Sequence, residues 1–319
     1  MHVDRAELLG GEIPLRPVGV AEMLDTAVAV MRRCPRAVLG PAAAVVTFVQ
    51  VCLTLISYYF IGTSPTDSDV PEELLRSVGN QLVLTVIGMF VTGFAILVLA
   101  GFYAPVVARS FFGLPPEPWA DGRPSRVRLV FVALAGMVGP LLAFALPLVP
   151  FVLVANTGGS AGLGILLGFA GFPAGAALAA WIYVLVVLAG PAVVMERAPF
   201  AEAFRRASGL VRRRWWKTFL VLVLTGLITV FMGFIALRVP FLLIELFAFG
   251  TEPSGAEELW ALAVNTLGRI VSWTITVPFD ALVVALVYFD LRMRREGVDL
   301  RLQTLAEPPA GFMDLWRGR

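Results

Sequence analysis

Asp280 is the residue best placed to do chemistry. It lies 12 residues before Arg292, which along a helix is about 18 Å from a basic boundary. That depth is near the middle of a hydrocarbon core about 30 Å thick. A charge there costs about 2.5–3.5 kcal/mol on insertion scales, so it is expected to face protein or water rather than lipid. Asp280 follows directly on Pro278-Phe279, and a proline removes a backbone donor and opens a helix locally. Two readings stand. Asp280 is a proton, ion or headgroup site on an internal polar cavity, or a buried carboxylate bonded to backbone freed by Pro278 or to another helix.

Two further groups carry charge near the apolar stretches. Arg238 is 21 residues after Lys217, about 31 Å along a helix, and Arg269 lies about 16 Å beyond Asp280 on the same rise. Both therefore fall near the outer surface. There they snorkel or pair with Glu245 or the outer acids, and Arg238, Glu245 and Arg269 read as an outer charge cluster in preference to a substrate site. The other group is a basic patch of Arg205, Arg206, Arg212, Arg213, Arg214 and Lys217. Beside an inner leaflet such a patch attracts anionic lipid and needs no nucleic-acid partner. Asp290 is expected to neutralise Arg292 and Arg294.

The chain offers no catalytic constellation. Its single histidine, His2, is terminal, so a His-based triad or a metal site inside the membrane is not expected. Cys34 and Cys52 are 18 residues apart, about 27 Å along one helix, and form no disulfide or zinc pattern. There is no P-loop and no dinucleotide fingerprint. No cofactor and no enzymatic activity are expected.

What positions these residues is a set of apolar spans. The chain is 58% hydrophobic and 15% charged, with a mean hydropathy of +0.84, against about 25% charged in soluble domains. Six spans are predicted, over about 37–61, 80–109, 127–154, 162–195, 215–246 and 260–291. Of the 25 Lys and Arg, 22 fall in four segments, 1–36, 109–128, 197–217 and 292–319. The loops of the opposite set carry acids such as Asp67, Asp69, Glu257 and Glu258. Basic loops on every second crossing describe an all-α polytopic bundle with both ends in the cytoplasm. Residues 18–299 form the membrane domain, with short tails at 1–17 and 300–319. No cleaved leader is expected, because residues 1–17 hold acids and no apolar core.

Span 162–195 is long for one crossing, but the basic segments on either side of the third and fourth spans require an even number of crossings between them. A single helix bent at Gly171-Phe172-Pro173 is the expected solution. Gly164-xxx-Gly168 and Gly171-xxx-Gly175 allow close internal packing. Trp215 and Trp216 anchor the fifth span at the headgroups.

Two segments, 18–33 and 199–214, read as amphipathic helices lying in the inner interface, apolar face towards the acyl chains, in preference to cytosolic helices packed on their neighbours. Val20, Met23, Leu24, Ala27 and Met31 share one face of the first. Phe200, Ala203, Phe204, Ala207 and Val211 share one face of the second. Laying Val20 on Phe200 superimposes both sets, and also Ala21-Glu22 on Ala201-Glu202 and Arg32-Arg33 on Arg212-Arg213. The crossings that return show a looser match at a slightly larger shift, Asn80 with Asn265 and Tyr103 with Tyr288. The pattern reads as a parallel repeat of interfacial helix, crossing, crossing, with spans three and four between the copies.

Three motifs carry a family resemblance. They are Ile13-Pro14-Leu15-Arg16-Pro17 with Ala21-Glu22-Met23-Leu24-Asp25; Pro191–Arg197 leading to Ala203–Ala207 and Leu210-Val211-Arg212; and Tyr288-Phe289-Asp290-Leu291-Arg292-Met293-Arg294-Arg295-Glu296-Gly297. Together, over about residues 13–303, they resemble the bacterial glycerophosphoryl diester phosphodiesterase membrane-domain family. The resemblance implies a multi-helix module of a bacterial inner membrane. It does not bring the phosphodiesterase activity, whose soluble catalytic barrel is not in this chain. The leading expectation is a non-enzymatic membrane module that supports or regulates partner proteins and touches anionic lipid at its inner face. The alternative is a transporter or lipid-handling protein with a polar site near Asp280.

Overall fold

The computed structural model describes residues 18–56, 58, 71–115, 123–156, 161–250 and 256–297. Both tails lie outside these residues, and so do positions 13–17 of the N-terminal motif. Among the described residues there is no strand. The α-helices are α1 (Val20–Arg33), α2 (Pro35–Ile56), α3 (Pro71–Ser110), α4 (Arg123–Ala145), α5 (Val149–Asn156) and α6 (Ala161–Val186), followed by α7 (Ala189–Met195), α8 (Phe200–Val211), α9 (Trp215–Val230), α10 (Val239–Phe249) and α11 (Ala256–Glu296). Short 3₁₀ turns at Leu146–Leu148 and Arg212–Arg214 and a π-helical segment at Phe231–Arg238 join some of them.

Six helical stretches are long and apolar enough to cross a bilayer: Pro35–Ile56, Val86–Ser110, Arg126–Phe151, Leu166–Met195, Phe200–Phe249 and Leu259–Glu296. Each overlaps one predicted span. The all-α polytopic class expected from the hydropathy pattern is therefore the class observed.

The fourth crossing is not interrupted at the glycines and Pro173. Helix α6 runs unbroken through Pro173, and the break falls at Val187-Leu188. Pro191 accounts for it, because its ring opposes the carbonyl four residues back, at Val187. Gly190 lets the chain beyond the break lie close to α3. A Cβ there would stand 2.3 Å from the Leu97 carbonyl oxygen, and one at Gly101 would stand 2.9 Å from that of Gly190. Two glycines thus let the backbones of α7 and α3 touch. Gly171 and Gly175 do the same between α6 and the preceding hairpin arm, against the carbonyl oxygens of Pro147 (2.6 Å) and Phe144 (2.5 Å).

The fifth crossing is interrupted by the π segment just before Pro240. A wider turn there leaves backbone carbonyls in need of donors. The Ser272 hydroxyl of α11 donates to the Gly233 carbonyl at 2.7 Å, and Gly233 has no side chain to hold the helices apart.

Helix α11 is the axis of the bundle. It packs against α1, α2, α3, α8, α9 and α10. The core lies towards the arginine-rich ends of the helices, hereafter the basic end. Tyr103, Ala104 and Val107 of α3, Ala192 of α7, and Ala281, Leu282 and Tyr288 of α11 are all fully buried there. Away from it the crossings expose large apolar side chains, such as Phe169, Leu227 and Phe247. A surface of that kind belongs against lipid.

The repeat appears in the helix boundaries. Helices α1 and α8 begin at Val20 and Phe200, and α2 and α9 at Pro35 and Trp215, so one shift relates both pairs. Gly19 and Pro199, which precede α1 and α8, share an extended backbone (φ −77°, ψ 168° and φ −64°, ψ 163°). Helices α3 and α11 begin at Pro71 and Ala256, which are related by the same larger shift that pairs Tyr103 with Tyr288. Those two tyrosines are both fully buried.

One sequence expectation is corrected. The apolar faces of α1 and α8 do not turn to the acyl chains. Met23, Ala27 and Val30, and likewise Ala203, Ala207 and Leu210, are buried in the protein core. The alanines explain this, because small residues let each helix approach the bundle closely. Phe200 remains about half exposed.

Candidate functional site

The most organised polar structure sits at the basic end, on the last turns of α11. Tyr288, Arg292 and Glu296 are spaced by four residues and share one face of that helix. Asp290 and Arg294 share another. The first face meets the end of α7 and the side of α8. The Tyr288 hydroxyl donates to Glu196 Oε1 at 2.7 Å. Arg292 is only 1% exposed. Its Nε donates to Glu296 Oε2 at 3.0 Å and lies 3.7 Å from Glu196 Oε1. Its Nη1 donates to the Tyr288 hydroxyl at 3.2 Å. Arg206 of α8 closes the set, with Nε donating to Glu196 Oε2 at 2.8 Å and Nη2 to Glu296 Oε1. Two guanidiniums, two carboxylates and a phenol thus satisfy one another. A buried arginine is tolerable only in such company.

The second face of α11 holds the start of α1. Arg294 Nε donates to both Asp290 oxygens, at 2.9 and 2.8 Å. Its Nη2 donates to the Val18 carbonyl at 3.1 Å, while the Val18 N–H donates to Asp290 Oδ1 at 3.2 Å. Asp290 therefore serves Arg294, and Arg292 takes its charge balance from Glu196 and Glu296. Between α7 and α8 the chain turns at Arg197, whose φ of 53° is left-handed. Arg128 of α4 donates to the carbonyls of Arg197 (3.2 Å) and Ala198 (3.4 Å). The second and third motifs singled out in the sequence meet in the first tie, through Glu196, Arg206, Tyr288, Arg292 and Glu296, and Val18, which lies between the two parts of the first motif, meets the third motif in the second tie.

Beside the clamp formed by Glu196, Arg206, Tyr288, Arg292 and Glu296 lies a basin of about 650 Å³. Arg205, Arg206, Arg212 and Arg213 line one side, and Arg295 and Glu296 the other. Glu202, Gly209 and Leu210 complete it. Arg205 pairs with Glu202 at 3.3 Å, both well exposed, and Arg295 donates to the Gly209 carbonyl. Arg214 and Lys217 line a separate water-sized space with Met23, Thr218 and Asp290.

Asp280 is held by crossing five. The Thr229 hydroxyl donates to Asp280 Oδ1 at 2.5 Å. Thr229 lies as far beyond Lys217 as Asp280 lies before Arg292, so the two stand at matching depth. Asp280 lines neither of the two cavities described above.

At the far end Asn265 joins two of the three expected charges. Its amide donates to Glu245 Oε2 at 2.7 Å, and its Oδ1 accepts from Arg238 Nη2 at 3.4 Å. Arg269 repels Arg238 and is attracted by Glu245. The Nε atoms of Arg238 and Arg269 are buried without a hydrogen-bond partner among the described residues. Among those residues, too, no group of three or more His, Cys, Asp or Glu could hold a metal ion.

The clamp was missed in the sequence, although its signal was there. Tyr288-xxx-Arg292-xxx-Glu296 and Asp290-xxx-Arg294 are i, i+4 patterns on two faces of one helix. Glu196, far away along the chain, had no such mark.

The fold and this charge-locked end define an all-α, multi-pass membrane protein. No family model, no curated protein and no solved structure matches the chain.

Proposed function

We propose that this protein is a non-enzymatic module of a bacterial inner membrane that supports or regulates partner proteins from its cytoplasmic face. The orientation follows from the positive-inside rule, which puts the basic end in the cytoplasm. The observation that carries the reading is the clamp. Glu196, Arg206, Tyr288, Arg292 and Glu296 fasten α8 to the central helix, and Asp290 with Arg294 fastens the start of α1. A membrane bundle with both amphipathic helices fixed in this way offers a rigid, positively charged surface. Such a surface suits docking, to anionic lipid and to an acidic partner surface. The pairing of Asp280 with Thr229 favours this reading over transport, because it makes the deep carboxylate a tie between crossings five and six. The meeting of the second and third motifs at the clamp supports the resemblance to the phosphodiesterase-linked membrane-domain family as one of membrane architecture.

Native mass spectrometry after gentle extraction tests it. The expected result is a stoichiometric protein partner that is lost when Arg205, Arg212 and Arg213 are all changed to Glu. A chain that leaves the membrane alone, in wild-type and variant form alike, would contradict it.

A further inference from the structure

We propose that the basin between α8 and the end of α11 is a binding site for a phosphate-bearing anion, carried by a lipid headgroup of the adjacent leaflet or by a soluble phosphate ester. This rests on that reading's basic surface at the membrane boundary and deepens it to a defined recess for one anion, and its test reads bound phosphate or lipid where the test above reads a protein partner. Three observations carry it.

The first is charge. Five guanidiniums line the basin against two carboxylates. Arg206 is committed to Glu196 and Glu296, and Arg205 to Glu202. Arg212 and Arg213 are exposed and make no ion pair among the described residues. Two adjacent guanidiniums without a carboxylate partner present the paired N–H donors that match phosphate oxygens.

The second is size. At about 650 Å³ the basin falls within the range of about 300–1,000 Å³ usual for small-molecule sites. It is larger than a bare phosphate needs and leaves room for the group that carries it.

The third is the wall at Gly209. A Cβ built there meets nothing within 4 Å, although the position is inside a helix, where glycine is unfavourable by about 0.5–1 kcal/mol relative to alanine. Its missing side chain keeps the basin open. Leu210 beside it is buried and gives the recess an apolar edge.

The test uses the full chain in nanodiscs. In one arm the discs contain only phosphatidylcholine, and pyrophosphate is titrated by calorimetry. In the other arm the discs also contain phosphatidylglycerol, and lipid retained after release is counted by native mass spectrometry. Each arm is run on wild type, on Arg212→Gln with Arg213→Gln, and on Gly209→Leu, which fills the recess without changing charge. Gly209→Gln replaces Gly209→Leu if the latter lowers the melting temperature. Saturable binding is expected in one arm, weakened about tenfold or more by both kinds of variant, a loss of about 1.4 kcal/mol or more. Pyrophosphate binding assigns a soluble phosphate anion, and selective phosphatidylglycerol retention assigns a lipid. Absence of saturable binding in both arms overturns the proposal. So does binding that falls with the arginine changes and ignores the filled recess, because that is diffuse attraction.

Discussion

The Tyr288 hydroxyl donates to Glu196 at 2.7 Å, joining positions 92 residues apart. Around that bond, Arg292 and Arg206 share the charge of Glu196 and Glu296. Removing one member of a buried, paired set leaves the others uncompensated. Glu196→Ala is expected to lower stability by about 3–5 kcal/mol, and Tyr288→Phe by about 1–3 kcal/mol. Arg205→Gln breaks only the exposed pair with Glu202 and is expected to cost less than about 1 kcal/mol. Thermal unfolding in one detergent ranks the three. Equal melting temperatures for Glu196→Ala and Arg205→Gln would show that the clamp carries no stability.

Two glycines give opposite expectations. Gly190→Ala puts a Cβ into the Leu97 carbonyl, 2.3 Å away. Backbone cannot rotate aside as a side chain can, so a loss of about 1–3 kcal/mol is expected. Gly209→Ala meets open space and is expected to be neutral or stabilising by up to about 1 kcal/mol. Melting temperatures of the two variants, measured together, check the sign of each.

Asp280 and Thr229 are expected to be coupled. A double-mutant cycle of Asp280→Ala and Thr229→Val should give an interaction energy of about 0.5–3 kcal/mol. Additive effects would mean that the 2.5 Å contact does no stabilising, and the case for a site at Asp280 would strengthen.

The sequence made the crossings, the two amphipathic helices and their repeat legible, because hydropathy and helical period are local signals. What escaped it was decided by partners far along the chain. Pro173 and Pro191 both lie in the fourth crossing, and only the touching glycines, Gly101 and Gly190, show why the break belongs to the second. The amphipathic faces of α1 and α8 were plain, but a face packed on protein and a face laid on lipid have the same sequence period. Arg206 looked like one more member of a basic patch. Its commitment to Glu196 and Glu296 depends on the turn at Arg197, which no periodicity marks.

The orientation has its own test. In a Cys34→Ala, Cys52→Ala background, a cysteine is placed at Arg205 or at Glu257, both exposed. A membrane-impermeant maleimide applied to intact spheroplasts is expected to label the cysteine at position 257. Labelling at position 205 is expected only after permeabilisation. The reverse pattern would place the basic end outside.

The most direct measurement is hydrogen exchange by mass spectrometry on the protein in nanodiscs, comparing wild type with Glu196→Gln. This change keeps the shape of the side chain and removes the charge that Arg206 and Arg292 share. If the clamp fixes α8 to α11, amides of residues 200–211 are protected in the wild type. They should exchange about tenfold faster or more in the variant, since local opening follows the loss of local contacts, while amides of residues 95–107 in α3 stay unchanged. Exchange over 200–211 that is the same in both proteins would contradict the clamp.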